Sequence, residues 1–193
     1  DVALHLEGTH QVLDSSGRMV QELEITSRIL SVDHQGAIET SNSVLSGEQW
    51  DAILHIGLCA SCERPRLEQR AQDTLDMRIE DNSGRMVTSS NIGGHGHLGT
   101  WIDLGNWIPE SFSTHFDISH DAGSFVCNET YYHTLLALQT LNEGHLPPPC
   151  LFLHIPSEDI LDVESSSLLA MQCLEHMLPF SEPSVVDVVA ALI

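Results

Sequence analysis

The sequence predicts an α/β fold, a three-layer α/β/α sandwich around a mixed, mainly parallel central sheet. Two apolar runs carry that expectation. Trp50-Asp-Ala-Ile-Leu-His-Ile-Gly-Leu58 has the near-continuous pattern of a central parallel strand buried on both faces, and Cys150-Leu-Phe-Leu-His-Ile155 is a second such strand. Apolar residues also recur at helical spacing, first at Leu135, Leu136, Leu138 and Leu141, then at Leu168, Leu169, Met171, Leu174 and Leu178. Strands alternating with helices fold as a sheet covered on both faces. At 193 residues, the chain is read as one domain over 1–193 with a sizeable core.

Taken in order, Val2 to Leu6 reads as the tail of a helix closed by Gly8, so Asp1 stands inside an element. The stretch from Gln11 to Val20 predicts two short strands around Ser15-Ser-Gly17, and Glu24 to Val32 a longer strand with Ile25 and Ile29 on one face. From Gly36 to Gly47, Ala37, Ile38, Val44 and Leu45 fall at helical intervals. After the 50–58 strand, Cys59-Ala-Ser-Cys-Glu-Arg-Pro65 is a loop. Leu67-Glu-Gln-Arg-Ala71 and Leu75-Asp-Met-Arg-Ile79 predict a short helix running into an extended piece, turned at Asp81-Asn-Ser-Gly84. Residues 91–99, with four glycines, read as a mobile, solvated loop without the Lys-Ser/Thr ending of a phosphate loop. Trp101 to Phe112 is a short helix or irregular packed segment, and Thr114-His-Phe-Asp-Ile-Ser119 alternates as a strand. The Ala122-Gly123 turn then opens a helix that stops at Asn142-Glu-Gly144, since Pro147 to Pro149 forbid continuation. Helices over 163–177 and 184–192 complete the chain.

Composition excludes several partners. The formal net charge is −21, from 28 acidic residues against seven basic ones, all arginine. Such a surface repels nucleic acid and anionic lipid. No apolar run is long enough to span a membrane, and no basic and apolar leader follows Asp1. Five cysteines at irregular spacing predict reduced thiols rather than a disulfide framework, and hence a cytoplasmic protein. Cys59-x-x-Cys62 has no second pair at zinc spacing, and His95 and His97 lack a carboxylate or thiol companion. No metal or other cofactor is expected.

The candidate chemistry lies at Cys127 and His154. The turn at 122–123 places Cys127 in the first turns of a helix, where unpaired N–H groups favour an anion and lower a thiol's pKa. The same groups suit a developing oxyanion. The competing structural reading is a buried small hydrophobe. His154 ends an apolar strand, at the edge where α/β proteins collect functional groups; the alternative there is a hydrogen-bonded core histidine.

Asp121-Ala-Gly-Ser-Phe-Val-Cys-Asn-Glu-Thr-Tyr-Tyr132, followed by Phe152-Leu-His-Ile-Pro156, resembles the Cys and His motifs of the type I pyroglutamyl peptidases. His55-Ile-Gly-Leu58, Leu67-Glu-Gln-Arg-Ala71 and Met77-Arg-Ile-Glu-Asp-Asn82 resemble further family segments in the same order, from about Glu24 to Leu178. The resemblance implies a Cys-His-Glu triad of Cys127, His154 and Glu68, acting without metal to remove N-terminal pyroglutamate from peptides through a thioester. It implies that Phe125 and Val126 line the lactam pocket, with Arg78 and Ile79 as the family's Arg and pocket Ile, and that the protein forms a homo-oligomer. The family opens with a strand and an aromatic loop that this sequence does not show. Either the chain is N-terminally incomplete and lacks its first strand, or it is a divergent member with a remodelled pocket. Two other functions compete: a non-catalytic homologue that binds a ligand or partner, and a cysteine amidase for another small acyl group.

Overall fold

The structure, a computed structural model, describes residues 2–13, 16–107, 115–141 and 144–178. Its elements, in chain order, are α1 (Val2–Leu6), β1 (Gly8–Leu13), β2 (Met19–Ile25), α2 (His34–Leu45), β3 (Ile53–Leu58), β4 (Arg66–Glu68), β5 (Arg70–Ala71), β6 (Leu98–Gly99), α3 (Leu104–Trp107), β7 (Asp117–Ser119), α4 (Val126–Leu141), β8 (Cys150–Ile155) and α5 (Val163–Met177). The predicted helix over 184–192 and part of the predicted 101–112 segment lie outside the described residues.

The central sheet runs β3-β8-β4-β7. β3 and β8 are parallel, as are β4 and β7, while β4 runs antiparallel to β8, so the sheet is mixed as expected. The pleat sends alternate side chains to opposite faces. Leu54, Ile56, Leu67, Leu151, Leu153 and Ile155 pack on one side with α1, the β1–β2 hairpin and α5. Ile53, Cys150 and Phe152 pack on the other with α4 and Val44 of α2. Both apolar strand runs are thus satisfied. Each fully buried Leu, Ile or Phe contributes on the order of 1.5–3 kcal/mol, so these two faces dominate any single cap or ion pair. Among the described residues, β3 has β8 as its one neighbour and stands at the sheet's edge rather than its centre. Burial of its faces comes from the layers above and below, which is why the apolar pattern predicted the faces but not the lateral position.

Three expected elements differ. Strand β2 ends at Ile25, and Ile29 is 56% exposed. Beyond it Ser27 donates to Ala3 O and Arg28 binds Ser43 and Glu48, so side chains, not a strand partner, fix that crossing to α2. The expected helix near 67–71 is instead the strands β4 and β5, paired with β8 and β7 and with β6. Leu67, Ala71 and Leu75 are four apart, a spacing that one helical face and one strand face share; long-range pairing decided the case. The 91–99 loop is not a free, solvated one. The N–H groups of Ile92, Gly93 and Gly94 donate to Asp73 Oδ1 at 2.9–3.1 Å, and that of Gly96 to Oδ2 at 2.9 Å. Burial alone would raise the Asp73 pKa, but these four donors outweigh it and lower it.

The expected reduced thiols need one correction: Cys59 and Cys62 form a disulfide. The tight turn that follows β3, closed by Cys62 N–H to Cys59 O at 3.0 Å, brings their Cα atoms to 5.3 Å, within bridging range. Among the described residues no helix is long and apolar enough to cross a membrane.

His55 lies fully buried in β3, facing α4. Thr134 Oγ1 donates to Thr130 O at 3.0 Å and so accepts from His55 Nε2–H at 3.1 Å. Burial pushes the His55 pKa down to about 3. A base depressed in this way contributes stability that is complete above the unfolded pKa near 6.5 and is lost as pH falls from there towards 3, by up to about 1.4 kcal/mol per pH unit. Urea unfolding at pH 7, 5.5 and 4 should therefore fall less steeply for His55→Gln than for the unaltered protein. Parallel slopes would refute the assignment.

Candidate active site

The carboxyl end of β8, the end of β4 and the start of α4 converge on one point. In β8, Phe152 and His154 share a face, and their register partners are Gly57 opposite His154 on β3 and Glu68 opposite Phe152 on β4. That face looks at α4. The helix is aimed by the turn before it: Gly123 adopts φ +87°, which other residues rarely tolerate, and its N–H bonds Asp121 Oδ1 at 3.0 Å. Ser124 and Asp76 then exchange two hydrogen bonds, Asp76 N–H to Ser124 O at 2.9 Å and Ser124 Oγ to Asp76 O at 3.0 Å. The buried Asn128 side chain accepts from Gln72 N–H and donates to Gln72 O and Thr74 O, at 2.7–3.0 Å. The 72–76 segment that follows β5 and the start of α4 are therefore locked together on either side of Cys127.

Three predicted residues meet here. His154 Nδ1 lies 2.7 Å from Glu68 Oε1, with His154 8% and Glu68 1% exposed. The half-buried Cys127 thiol is the imidazole's other hydrogen-bond partner. With Nδ1 engaged by the carboxylate, Nε2 is the nitrogen that faces the sulfur. Burial alone would lower the His154 pKa, but Cys127 and Glu68 together outweigh it and raise it to about 9. At neutral pH the ring is therefore an imidazolium. A carboxylate as buried as Glu68 is held by that pairing, since an unpaired charge there would be costly.

The other four candidates are distributed differently. Val126 is fully buried among Ala37, Leu75 and Met77, and the half-buried Phe125 packs against that cluster. Arg78 and Ile79 lie on the exposed segment beyond Asp76, Ile79 at 67% exposure.

Supporting residues were not singled out from the sequence. Tyr131, one turn after Cys127, donates its hydroxyl to Glu68 O at 3.0 Å from full burial. The Phe152 ring sits 4.7 Å from the His154 ring and, on its far side in the chain of contacts, stacks on His55 at 5.8 Å. Gly57 has its own reason: a Cβ there would come 2.8 Å from the Phe152 ring and 3.4 Å from Cys127 Sγ. A glycine inside an apolar strand is itself a sign of close approach, so this residue was findable. Tyr131 gave no such sign.

Gly57→Ala should relieve about 0.5–1 kcal/mol of backbone entropy cost and incur about 1–3 kcal/mol of overpacking, so overpacking wins. Since the yielding groups are the Phe152 ring and Cys127, we expect kcat to fall by roughly 10–100-fold with the fold retained, as for a small misplacement of a reacting group. A variant with unchanged kcat would show that the site tolerates the shift.

A family model described as pyroglutamyl peptidase matches residues 7–177. The chain is 30% identical over 139 residues to a pyrrolidone-carboxylate peptidase of Deinococcus radiodurans, an alignment covering 69% of this chain and 62% of that protein. It is 30% identical over 155 residues to the corresponding protein of Vibrio vulnificus strain YJ016, covering 75% and 68%. The chain thus spans about three fifths of the length of the Deinococcus relative. Among solved structures, pyrrolidone carboxyl peptidase from Thermus thermophilus superposes with TM-score 0.63 at 26% identity, covering 76% of this chain and 80% of that one. The Pyrococcus furiosus protein superposes with TM-score 0.68 at 20% identity, covering 92% and 90%, a likeness of fold.

Proposed function

The chain belongs to the pyroglutamyl peptidase family, and from that premise we propose that it is a cysteine exopeptidase removing N-terminal pyroglutamate from peptides. The observation that carries the proposal is the meeting of Cys127, His154 and Glu68, from three separate elements, at the carboxyl end of a buried strand. In this reading Cys127 is the nucleophile, His154 the acid and base, and Glu68 the group that orients the imidazole.

The geometry supports a complete cycle. Glu68 Oε1 holds Nδ1–H, so Nε2 is the nitrogen that takes the thiol proton and frees the sulfur to attack. The sulfur attacks the pyroglutamyl carbonyl carbon, and the electron pair of the C=O bond moves to oxygen. First-turn N–H groups of α4, which have no intrahelical acceptor, face the developing negative charge, with Arg78 as a further candidate. His154 Nε2–H then protonates the departing amine nitrogen as the C–N bond breaks, leaving a thioester on Cys127. Water adds to the thioester after giving a proton to Nε2. Collapse expels the sulfur and releases pyroglutamate, and the starting Cys127–His154 pair is restored. Phe125, half-buried immediately before α4, would supply an apolar wall for the lactam ring, with the fully buried Val126 packed behind it.

The test is hydrolysis of a fluorogenic pyroglutamyl amide beside the alanyl and prolyl amides. Turnover of the first alone supports the reading. Equal turnover of all three favours a less selective amidase, and none favours a non-catalytic homologue.

A further inference from the structure

Glu129 and His133 project from α4 about 200–240° around the helix from Cys127, away from the proposed catalytic groups. There they meet His34, the first residue of α2, across the interface between the two helices. The ligand atoms of the three side chains all lie within 4.8 Å of one another, and His34 Nδ1 is 2.9 Å from Glu129 Oε1. We propose that His34, Glu129 and His133 form a binding site for a divalent cation of the zinc class, separate from the catalytic chemistry and independent of it.

The donor set is the first argument. Two imidazoles and one carboxylate, with a water in the fourth position, are a recognised zinc coordination. Bonds of about 2.0–2.2 Å in a tetrahedron place the ligand atoms roughly 3.3 Å apart, so side-chain rotation closes the present arrangement. The His34 side chain is 52% exposed, which gives a cation its way in and the ring its freedom to turn. Glu129 is 3% exposed and fixed in place.

The second argument is what fixes it. Arg85 donates to Glu129 Oε1 at 2.8 Å and to Oε2 at 2.6 Å, and is itself bound to Asp81 Oδ2 at 2.8 Å. An arginine beside a carboxylate would ordinarily argue against a cation. Here Glu129 and Asp81 carry two negative charges against its one, and each carboxylate oxygen has two lone pairs. The second lone pair of Oε1 is the one turned to His34. A cation takes the place of the proton between Oε1 and His34 Nδ1, and the Arg85 fork remains as the outer hydrogen bond that orients a ligating carboxylate. A bound ion would clamp α2 onto the helix that carries Cys127.

Zn2+ binding to the Cys127→Ser protein, which lacks the competing thiol, should be saturable at one equivalent by calorimetry. His34→Gln and His133→Ala, which leave Glu129 and Arg85 intact, should each weaken it by about tenfold or more, the range that loss of a site's supporting contacts produces. Co2+ as a probe should give the intense visible absorption of a tetrahedral site, and both variants should lose it. His34 bonds the buried Glu129, so Gln is chosen to keep a hydrogen-bonding group there, and metal-free melting of the variant is measured beside its Zn2+ binding to separate lost stability from a lost ligand. Absence of saturable Zn2+ binding, or binding and Co2+ spectra that neither substitution alters, overturns the proposal.

Discussion

Cys127→Ala is expected to lower kcat/KM on a pyroglutamyl amide by roughly 10⁴-fold or more, because on the proposed mechanism it removes the covalent nucleophile and with it the whole thioester route. The loss should lie almost entirely in kcat, with melting temperature little changed, since the thiol is only half-buried and packs at the margin of a core cluster. The same residue can be reached chemically. Cys150 and Cys173 are buried, and burial pushes both thiols well above the ordinary range, while Cys59 and Cys62 are joined to each other. Iodoacetamide near neutral pH should therefore modify Cys127 well ahead of the others in the folded protein. His154→Ala should slow that modification by removing the base and its positive charge. Full activity in Cys127→Ala, or indiscriminate labelling of Cys127, Cys150 and Cys173, would eliminate this cysteine as the nucleophile.

Glu68→Gln should be nearly as damaging, lowering kcat by about 10³–10⁴-fold, the scale on which a mis-set imidazole tautomer acts in a comparable triad. A Gln amide facing Nδ1 can donate where the carboxylate accepts, which puts the proton on Nε2 and turns a base into a donor. The pH profile separates this from simple damage. The Cys127 and Glu68 partners hold His154 at about 9 against the opposing effect of burial, so the alkaline limb of kcat/KM should lie near that pH. Removing the Glu68 charge should move the limb to lower pH. Stability follows the same sign. A histidine raised from 6.5 to about 9 on folding contributes stability that is complete below 6.5 and is lost as pH rises through 9. Glu68→Gln should flatten that alkaline loss. An alkaline limb that stays near 9 in the variant would mean that Glu68 does not set the imidazole.

How much of this site could be read from the chain varies by residue. Cys127 and His154 were legible because each stands at a junction with local signs, a Gly turn before a helix and the end of an apolar strand. Glu68 was legible as a residue but not as a position: expected on a helix, it ends a strand, and only there can it reach His154 across the sheet. Gly57 and Tyr131 serve the site through contacts with residues more than 60 positions away, which no local pattern expresses. The His34, Glu129 and His133 cluster is of the same kind, joining a helix start to a helix some 95 residues on.

By itself, the sequence determined which stretches bury both faces, where α4 and α5 begin and stop, and which thiol stands at a helix start. These are properties of a dozen consecutive residues, written in periodicity and in the rigid backbones of Gly and Pro. The tertiary structure alone decided that β4 is a strand running against β8, that β3 stands at the edge of the described sheet, that Asp73 gathers the 91–99 loop, and that Cys59 meets Cys62. Backbone N–H and C=O groups are chemically the same in every residue. Which strand they pair with is therefore set by how all the apolar faces pack at once, and by no segment on its own.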